Sequence, residues 1–387
     1  MTLQASGDGG EDMDAQRKIE LLGEAAQYDV CIACGTHASR RLDDLGRWIY
    51  PAVLPDGRRI NQLKVLQTNA CRNNCYYCAQ RAGRDGRRAA FAPDELAALF
   101  DALRRRGLVA GLFLSSAVAD DPQLSMDRML ATVEILRRRY GFTGYIHLKL
   151  LPGVSMAHVE QAIRWADRVS LNLEAPSPEY LGRIAPDKRF DDILRPMRWA
   201  HDLIRASDRA LVTAGQTTQF VVGAAGESDR DILAVVSRLY REVDLRRAYF
   251  SAFQPIEGTP LEHEPPASPL REHRLYQSDF LMRKYGFRFE ELVFDAHGQL
   301  PLTDDPKKIW ADAHPEAFPV EVGRATRELL LRVPGIGPRS ADRIVHGRRQ
   351  RSFASLQDLA RVGVNTVRAA PYILLGGRRP PYQLALW

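Results

Sequence analysis

Short apolar runs alternate with amphipathic stretches of helical spacing through the middle of the chain. The runs predict six β-strands, at Leu63–Thr68, Gly111–Ser115, Gly144–Leu150, Arg168–Leu173, Thr218–Val222 and Ala248–Phe253. The stretches between them predict helices, among them Pro93–Arg106, Met126–Tyr140, Ala157–Ala166, Phe190–Ala206 and Ser228–Glu242. Six strand–helix repeats predict parallel strands with helices on the outside, an α/β fold. Periodicity leaves open whether this sheet is open or curls into a partial barrel.

Changes in composition along the chain predict its domain organisation. The first residues are acidic and rich in glycine, and residues 301–319 are rich in proline and aspartate. Beyond that connector the chain consists of short helical patterns punctuated by glycine, typical of a small all-α domain. The predicted boundaries are a disordered start at 1–15, an N-terminal helical extension at 16–60, a barrel domain at 61–300, a linker at 301–319 and an all-α domain at 320–387.

The overall composition is that of a globular protein. Hydrophobic residues make up 45% and charged residues 26% of 387 residues, which excludes wholesale disorder and a disulfide-stapled miniprotein. No apolar run approaches the roughly 18 residues of a membrane span, and Met1–Asp14 does not resemble a signal peptide. We therefore expect a cytoplasmic protein without a membrane partner.

The positive charge is concentrated at the carboxyl end. From Arg324 to Trp387 there are twelve arginines and three acids, a surplus of nine charges, whereas the whole chain carries +6. The preceding residues therefore carry about −3. A basic segment of this kind favours a polyanionic partner, although a merely solvated basic face is the alternative.

All five cysteines lie between Cys31 and Cys78, and three of them form the motif Cys71-Arg-Asn-Asn-Cys75-Tyr-Tyr-Cys78 after the first predicted strand. Spacings of four and three residues bring three thiols round a single loop. Three thiolates are one ligand short of a closed tetrahedral zinc site or a fully protein-ligated iron–sulfur cluster. A zinc knuckle completed by a distant histidine is the alternative interpretation.

The motif resembles the hallmark of the radical S-adenosylmethionine (SAM) superfamily, in which it follows the first strand of a partial (β/α)6, TIM-type barrel and has an aromatic residue at the position of Tyr77. The resemblance implies a [4Fe-4S] cluster on Cys71, Cys75 and Cys78. The fourth iron of such a cluster chelates SAM, and the reduced cluster cleaves SAM to a 5′-deoxyadenosyl radical. It also implies an electron donor such as flavodoxin or ferredoxin.

Further positions match the places where superfamily members contact SAM, at the carboxyl ends of the strands. Gln219–Glu227 is similar to the stretch beside the adenine, in which Glu227 would brace the loop and the backbone around Val222 would contact the base. Ser115 and Ser116 stand where members often have a Gly-Gly-Glu-like stretch. Asn172 and Glu174 share a strand face, and a buried polar pair is the alternative there. By resemblance, the cofactor-binding residues are Tyr77, Ser115, Ser116, Asn172, Glu174, Gln219, Val222, Phe253 and Lys149, the last of which could instead cap a helix.

Cys31 and Cys34 form a separate CxxC pair ahead of the barrel. Two thiols are too few for a second cluster, which counts against a methylthiotransferase. A redox pair, a hydrogen-atom donor to a substrate radical and two buried structural cysteines remain as interpretations.

The carboxyl-terminal segment around Gly335-Ile-Gly337 is typical of a helix, a tight hairpin and a second helix. It resembles the helix-hairpin-helix motif of DNA repair and recombination proteins, with a weaker copy around Gly363, and the two copies are expected to pack around Leu330, Ile344, Leu356 and Leu359. By resemblance, the nucleic-acid contacts are Gly335, Ile336, Gly337, Arg339, Ser340, Arg343 and Gly363. A hairpin motif used for protein contacts is the alternative.

The combination of both segments resembles radical SAM proteins described as DNA modification or repair proteins. We therefore expect an enzyme that modifies or repairs a base or sugar in DNA, with duplex DNA and a DNA-repair protein as partners. Two alternatives remain: radical SAM chemistry on structured RNA, and a non-catalytic iron–sulfur protein that binds DNA or senses redox state.

Overall fold

The structure, a computed structural model, describes residues 14–26, 48–54, 56–207, 211–350 and 352–382. Cys31 and Cys34 lie outside the described residues, so their role stays a prediction. The chain divides into two compact units. The first comprises residues up to 227 together with 238–267, and the second comprises 228–237 together with the residues from 268 onward.

A seven-stranded sheet forms the centre of the first unit. Its strands are β1 (Ile49–Val53), β2 (Arg59–Leu66), β3 (Gly111–Ser115), β4 (Tyr145–Lys149), β5 (Arg168–Ser170), β6 (Gln216–Val222) and β7 (Arg247–Ala252). They lie in chain order, and β2 to β7 pair in parallel. The prediction of six parallel strands is therefore confirmed, and the sheet is a curled half-barrel.

Strand β1 is an addition that the sequence pattern does not predict. It pairs antiparallel with β2, from Ile49 opposite Leu63 to Val53 opposite Arg59. Pro51 interrupts its apolar pattern, and proline is tolerated here because β1 lies at the edge of the sheet. The pairing also explains why β2 begins at Arg59, four residues before the predicted start.

Helices cover the outer side of the sheet. Up to residue 242 the helices are α1 (Ala15–Ala25), α2 (Pro93–Arg105), α3 (Pro122–Arg138), α4 (Met156–Trp165), α5 (Pro178–Ile184), α6 (Phe190–Ala206) and α7 (Asp229–Glu242). Asp121 and Ser155 cap α3 and α4 by accepting hydrogen bonds from first-turn amides. None of the described helices is long and apolar enough to cross a membrane.

The two faces of the sheet differ in chemistry. Alternate residues such as Leu112, Ile146 and Phe220 are fully buried and belong to the hydrophobic core. The residues between them, among them His147 and Tyr249, point to the opposite side, which we call the concave face. Apolar side chains dominate the core side, where Gln216 and Thr218 of β6 are buried polar exceptions.

The second unit continues with α8 (Pro269–Lys284), α9 (Pro306–Ala313), α10 (Arg327–Arg332), α11 (Pro338–Gly347), α12 (Leu356–Arg361) and α13 (Thr366–Ala369). The last four helices share one hydrophobic core, in which Leu330, Ile344 and Leu359 are fully buried and Leu356 is partly buried. The packing predicted around these four residues is confirmed.

The prediction of an all-α carboxyl-terminal part is wrong in one detail. Two short strands, β8 (Val320–Glu321) and β9 (Ile373–Leu374), pair in parallel. Val320 and Ile373 are both buried in the core of the helices, so the pair joins the beginning and the end of this part of the chain.

Candidate active site around the cysteine loop

The cysteine loop follows β2 directly and brings three thiols together. Cys75 is buried, Cys71 and Cys78 are half-buried, and all three are free thiols. Burial raises the pKa of Cys75, and burial followed by the neighbouring Cys75 raises that of Cys78 to about 12. Cys71 adds to both shifts, which shows that the three sulfur atoms are neighbours. Without a bound cation the Cys75 and Cys78 thiols therefore stay protonated, and a bound cation would favour their thiolates.

Arg88 stabilises the loop by hydrogen bonds to its backbone. Its guanidinium donates to the backbone carbonyls of four residues at distances of 2.8 to 3.1 Å; the acceptors are Asn69, Gln80, Arg81 and Arg84. Asn69 adds a hydrogen bond to Arg87 and accepts one from Ala89. These backbone carbonyls therefore have hydrogen-bond donors within the protein, and the conformation of the loop is fixed.

The segment between α5 and α6 supports the loop from the other side. The amide of Tyr76 donates to the carbonyl of Ile184 at 2.7 Å, and the amide of Asn74 donates to the Asp187 carboxylate at 2.6 Å. The loop is thus held by a segment that lies more than a hundred residues further along the chain.

Lys188 also belongs to the site, although the sequence analysis does not predict it. Its ammonium lies 3.0 Å from the Glu174 carboxylate and 3.4 Å from the hydroxyl of Tyr77. Burial opposes its charge, but a thiolate at Cys75 and then the Glu174 carboxylate outweigh burial and raise the pKa of Lys188. The role of Lys188 depends on its contact with Glu174, which only the fold creates.

Glu174 and Tyr77, both predicted cofactor-binding residues, meet at this lysine. Glu174 is 5% exposed and has a φ of 67°, the left-handed region that is costly for a residue with a Cβ. Its amide donates to the carbonyl of Gln219 at 2.9 Å, which connects the end of β5 to β6. Burial and then Glu174 raise the pKa of Tyr77 well above its usual value.

The other predicted cofactor residues lie at the carboxyl ends of the strands, with different exposures. Ser115 is buried, while Asn172 and Lys149 are half-exposed. The hydroxyl of Ser116 donates to the carbonyl of Ala117 at 2.7 Å. Phe253 is 2% exposed, and its amide donates to Val222.

The loop after β6 is braced by a carboxylate, as predicted. Glu227 is buried and accepts hydrogen bonds from the amides of Gly223 (2.5 Å) and Ala225 (3.1 Å). Val222 is fully buried on the core side of β6, so only its backbone is available to a ligand. Gly223 has a φ of 90°, which a residue with a side chain rarely adopts.

The chemistry of the three cysteines fits an iron–sulfur cluster. Among the described residues, no group of three or more histidine, cysteine or acidic side chains is arranged to hold a single metal ion. A [4Fe-4S] cluster makes a different demand, because each cysteine binds a separate iron atom. Three neighbouring free thiols in a fixed loop meet that demand, whereas they do not form a closed zinc site.

In the second unit, the lack of a side chain at Gly335 allows the two predicted hairpins to pack closely. Its φ is 84°, and a Cβ added there would lie 2.4 Å from the carbonyl oxygen of Asn365. The amide of Asn365 in turn donates to Gly335. Gly337 has no comparable constraint, since the nearest atom to an added Cβ is the Tyr285 hydroxyl at 3.4 Å. Gly335 thus allows the second hairpin to approach, whatever else binds there.

The remaining predicted nucleic-acid residues divide into buried and exposed groups. Ile336 and Ser340 are buried, and the Ser340 hydroxyl donates to the carbonyl of Gly363 at 2.8 Å. Arg339 and Arg343 are exposed. Arg343 also donates to the carbonyl of Val362, next to the second hairpin.

Two further arginines of the basic carboxyl-terminal segment have structural contacts. The guanidinium of Arg332 lies 3.8 Å from the centre of the Phe287 ring and 2.8 Å from the Glu291 carboxylate. Arg348 donates to the carbonyl of Ala325. These contacts show that part of the basic charge of this segment stabilises the fold of the second unit.

Comparison with known proteins identifies the domain. Residues 65–239 match the family model described as the radical SAM superfamily. No curated protein matches the sequence.

Three solved structures are similar to part of this chain. Methylornithine synthase (PylB) is 19% identical, with a TM-score of 0.44 over 56% of this chain and 60% of its own. The hydrogenase maturase HydG from Carboxydothermus hydrogenoformans is 15% identical, with a TM-score of 0.44 over 56% and 50%. A radical SAM methyltransferase from Sphaerobacter thermophilus is 15% identical, with a TM-score of 0.42 over 68% and 84%. The aligned part thus spans less than two thirds of the first two relatives.

Enzymes of this superfamily use a [4Fe-4S] cluster and SAM, and the cysteine motif at 71–78 lies inside the matched segment. Residues 65–239 are therefore a radical SAM domain, with the cofactors of that superfamily.

Proposed function

We propose that this chain is a radical SAM enzyme that modifies or repairs a base or sugar in DNA, and that its second unit holds the DNA by phosphate contacts. The proposal is supported by the presence, in one chain, of a radical SAM domain and of a carboxyl-terminal segment with twelve arginines, in which the two predicted glycine hairpins share one core.

The chemistry at the cysteine loop follows from its residues. Cys71, Cys75 and Cys78 would hold the [4Fe-4S] cluster, which, when reduced by an external donor such as flavodoxin or ferredoxin, supplies one electron to cleave SAM into methionine and a 5′-deoxyadenosyl radical. Lys188 provides a buried positive charge that offsets the thiolates. Glu174 and Tyr77 hold that lysine in place.

The second unit has features that suit a phosphate chain. Helix α11 has ten residues and begins at Pro338, so the first-turn amides of Arg339 and Ser340 have no acceptor within the helix. Such amides lie at the positive end of a helix, where anions are stabilised. The exposed side chain of Arg339 adds a full charge at the same place. Contacts of this kind bind phosphate without reading sequence.

A base within a duplex would have to leave the stack to reach the first unit. Extrusion costs a few kcal/mol and less at a damaged or unpaired base. We therefore favour damaged or mismatched DNA as the substrate, because a weakly paired base leaves the stack more readily. The second unit would bind the phosphates first, and the extruded base would then react.

The proposal is tested by measuring the affinity of the reconstituted protein for duplex DNA and for a folded RNA of similar length, in series of increasing salt concentration. We expect tighter binding to duplex DNA, with an affinity that falls as salt rises because phosphate contacts release counterions. Arg339→Gln is expected to weaken DNA binding and to reduce the salt slope by about one. Arg164→Gln, on an exposed arginine of α4, is the matched control and should change neither.

Equal affinity of wild type and Arg339→Gln would contradict the phosphate contact. Tighter binding of folded RNA than of duplex DNA would indicate that the substrate is RNA. Stimulation of 5′-deoxyadenosine formation by DNA would connect the binding unit to the radical chemistry.

A further inference from the structure

A buried lysine of the second unit lies beneath the first predicted hairpin. Lys307, in the first turn of α9, is 7% exposed, and its ammonium donates to the carbonyl oxygen of Ile336 at 2.6 Å. The ring of Tyr285 contacts the same ammonium, with 4.7 Å between the nitrogen and the ring centre. Ile336 stands between the two glycines of the hairpin and is itself buried, so the lysine reaches the hairpin from the core side.

This contact fixes the direction of one backbone amide. The carbonyl of Ile336 and the N–H of Gly337 belong to the same peptide unit, which is trans, so they point in opposite directions. Because the carbonyl points toward Lys307 in the core, the N–H of Gly337 points away from the core. It has no acceptor among the residues that the structure describes. The lysine thus orients an open donor at the start of α11, where the amides of Arg339 and Ser340 also lie.

The charge of the lysine strengthens this donor. A carbonyl that accepts a hydrogen bond from a cation polarises its peptide unit, so the N–H on the other side becomes a better donor to an anion. The ammonium also attracts that anion directly, through a buried region in which charges are poorly screened. Both effects vanish when Lys307 loses its proton, because the neutral amine can keep the hydrogen bond to Ile336 but not the charge.

The ammonium has no acid partner within the described part of the second unit. Burial, followed by the charge of Arg332, lowers the pKa of Lys307 to about 7, and no carboxylate opposes that shift. The acids of the surrounding elements are paired with other cations: Glu291 with Arg332, Asp279 with Arg283, Asp305 with Arg368, and Asp304 and Asp312 with Lys308. Near neutral pH the lysine is therefore about half protonated in the free protein.

We infer that Lys307 is a positioning residue of the phosphate site, and that DNA binding at the first hairpin is accompanied by the uptake of a proton at this lysine. The phosphate supplies the negative charge that the lysine lacks in the free protein. Phosphate and proton therefore favour each other's binding by the same factor. The inference rests on the proposed function, since it takes the first hairpin to hold a DNA phosphate, and it adds that the affinity for DNA depends on pH near neutrality.

The test follows the affinity of the full-length, cluster-loaded protein for one DNA duplex between pH 7 and pH 9, at constant salt. The phosphodiesters of DNA do not titrate in this range, and histidines with an ordinary pKa of about 6.5 are largely neutral. We expect Kd to rise roughly fivefold from pH 7 to pH 9, a coupling of the usual size between two sites. Calorimetry in two buffers of different ionisation enthalpy should show uptake of a fraction of a proton for each bound duplex.

Lys307→Gln keeps a hydrogen-bond donor for the Ile336 carbonyl but never carries the charge. It should bind DNA at pH 7 as weakly as the wild type binds at pH 9, without further loss at higher pH and without proton uptake. Lys308→Gln, at the half-exposed neighbouring position, is the matched control and should keep the wild-type pH profile. Arg339→Gln should weaken binding by the same factor at both pH values, because its guanidinium stays charged throughout.

The same affinity at pH 7 and pH 9, or a loss that is as steep in Lys307→Gln as in the wild type, would overturn the inference. So would a Lys307→Gln variant that binds more weakly at every pH yet still takes up the proton, since the lysine would then have a merely structural role. Hydrogen exchange of α10 and α11 checks that the variant is folded. The proton uptake of the wild type tests the inference without any variant.

The inference and the proposed function fail in different ways. DNA binding without proton uptake would overturn only the inference. Proton-linked DNA binding by a protein that never cleaves SAM would support the inference and overturn only the proposed enzyme. Absence of DNA binding at every pH would overturn both.

Discussion

The ammonium of Lys188 lies 3.0 Å from the carboxylate of Glu174, and the two side chains are only 12% and 6% exposed. The same ammonium is 3.4 Å from the hydroxyl of Tyr77, within the cysteine motif. This buried ion pair joins the end of β5 to the loop that carries the three cysteines. Within the pair, the ammonium of Lys188 places a positive charge beside Cys75, and a thiolate there raises the pKa of Lys188.

Replacing Lys188 by methionine is expected to destabilise the first unit by about 3–5 kcal/mol, because it leaves the Glu174 carboxylate buried without its partner. Urea unfolding of the full chain measures the change. The double variant Lys188→Met with Glu174→Gln should regain most of the lost stability, since it removes both charges. Lys308→Met, on a more exposed lysine of α9, should change stability by less than about 1 kcal/mol.

The same double variant separates the structural role of Lys188 from its electrostatic one. The matched reference is the single variant Glu174→Gln, which differs from the double variant only in the charge of Lys188. Without that positive charge, reduction of the cluster should be harder, so the double variant should have a more negative midpoint potential than Glu174→Gln. A redox titration followed by electron paramagnetic resonance gives both potentials, and equal values would contradict the electrostatic role.

Arg88→Leu is expected to loosen the cysteine loop, because four backbone carbonyls lose a charged donor. The loss of one such hydrogen bond, about 1.5–3 kcal/mol, corresponds to roughly ten- to hundredfold faster release of iron to a chelator. Arg88→Lys should recover only part of the effect, since an ammonium lacks the planar fork of donors. Arg87→Leu, at the exposed neighbouring position, should release iron at the wild-type rate.

Gly335 and Gly337 are expected to respond differently to alanine. At Gly335 the new Cβ would lie 2.4 Å from the Asn365 carbonyl oxygen at a φ of 84°, so the second unit should lose about 1–3 kcal/mol. At Gly337 the change should stay within about 0.5 kcal/mol. Hydrogen exchange of α10 to α13 provides the measurement, and equal protection in the two variants would refute the packing role of Gly335.

Lys307 makes the stability of the second unit depend on pH. It donates to the carbonyl of Ile336 at 2.6 Å, and burial, followed by the charge of Arg332, lowers its pKa to about 7. Between that value and its usual 10.5 the unfolded state binds more protons than the folded state, so stability rises with pH. From pH 7 to 8.5 the expected gain is about 1.5 kcal/mol.

Lys307→Met should remove most of this gain, because methionine does not titrate. Lys308→Met, at the neighbouring position, should keep it. Unfolding by urea at the two pH values measures the gain in each variant, and the same gain in Lys307→Met as in the wild type would show that another group is responsible.

Local patterns predict most of the strands and helices in the first unit. Strand β3 and helix α6 have the predicted bounds, because an apolar run and a long amphipathic stretch each identify one element. Strand β1 is missed because Pro51 and its half-exposed positions conceal a strand that exists only by pairing with β2. Pairing between segments is not visible in a local pattern.

In the candidate site, too, a local sequence motif is predictable, whereas contacts between residues far apart in sequence are not. The cysteine motif is local in sequence, so its spacing alone indicates a cluster. Lys188 contacts Glu174 and Tyr77 across 14 and 111 residues, and these contacts arise only in the folded chain. Gly335 is likewise predicted as a hairpin residue, but the reason for its glycine, the carbonyl of Asn365, lies thirty residues further on.

The central claim is that the cysteine loop supports radical SAM chemistry, and the formation of 5′-deoxyadenosine tests it most directly. The protein is reconstituted anaerobically with iron and sulfide, supplied with SAM and dithionite, and assayed with and without duplex DNA. We expect product from the wild type, more of it with DNA, and none from Cys75→Ala. A wild-type protein that carries a complete cluster yet forms no 5′-deoxyadenosine with or without DNA would contradict the claim.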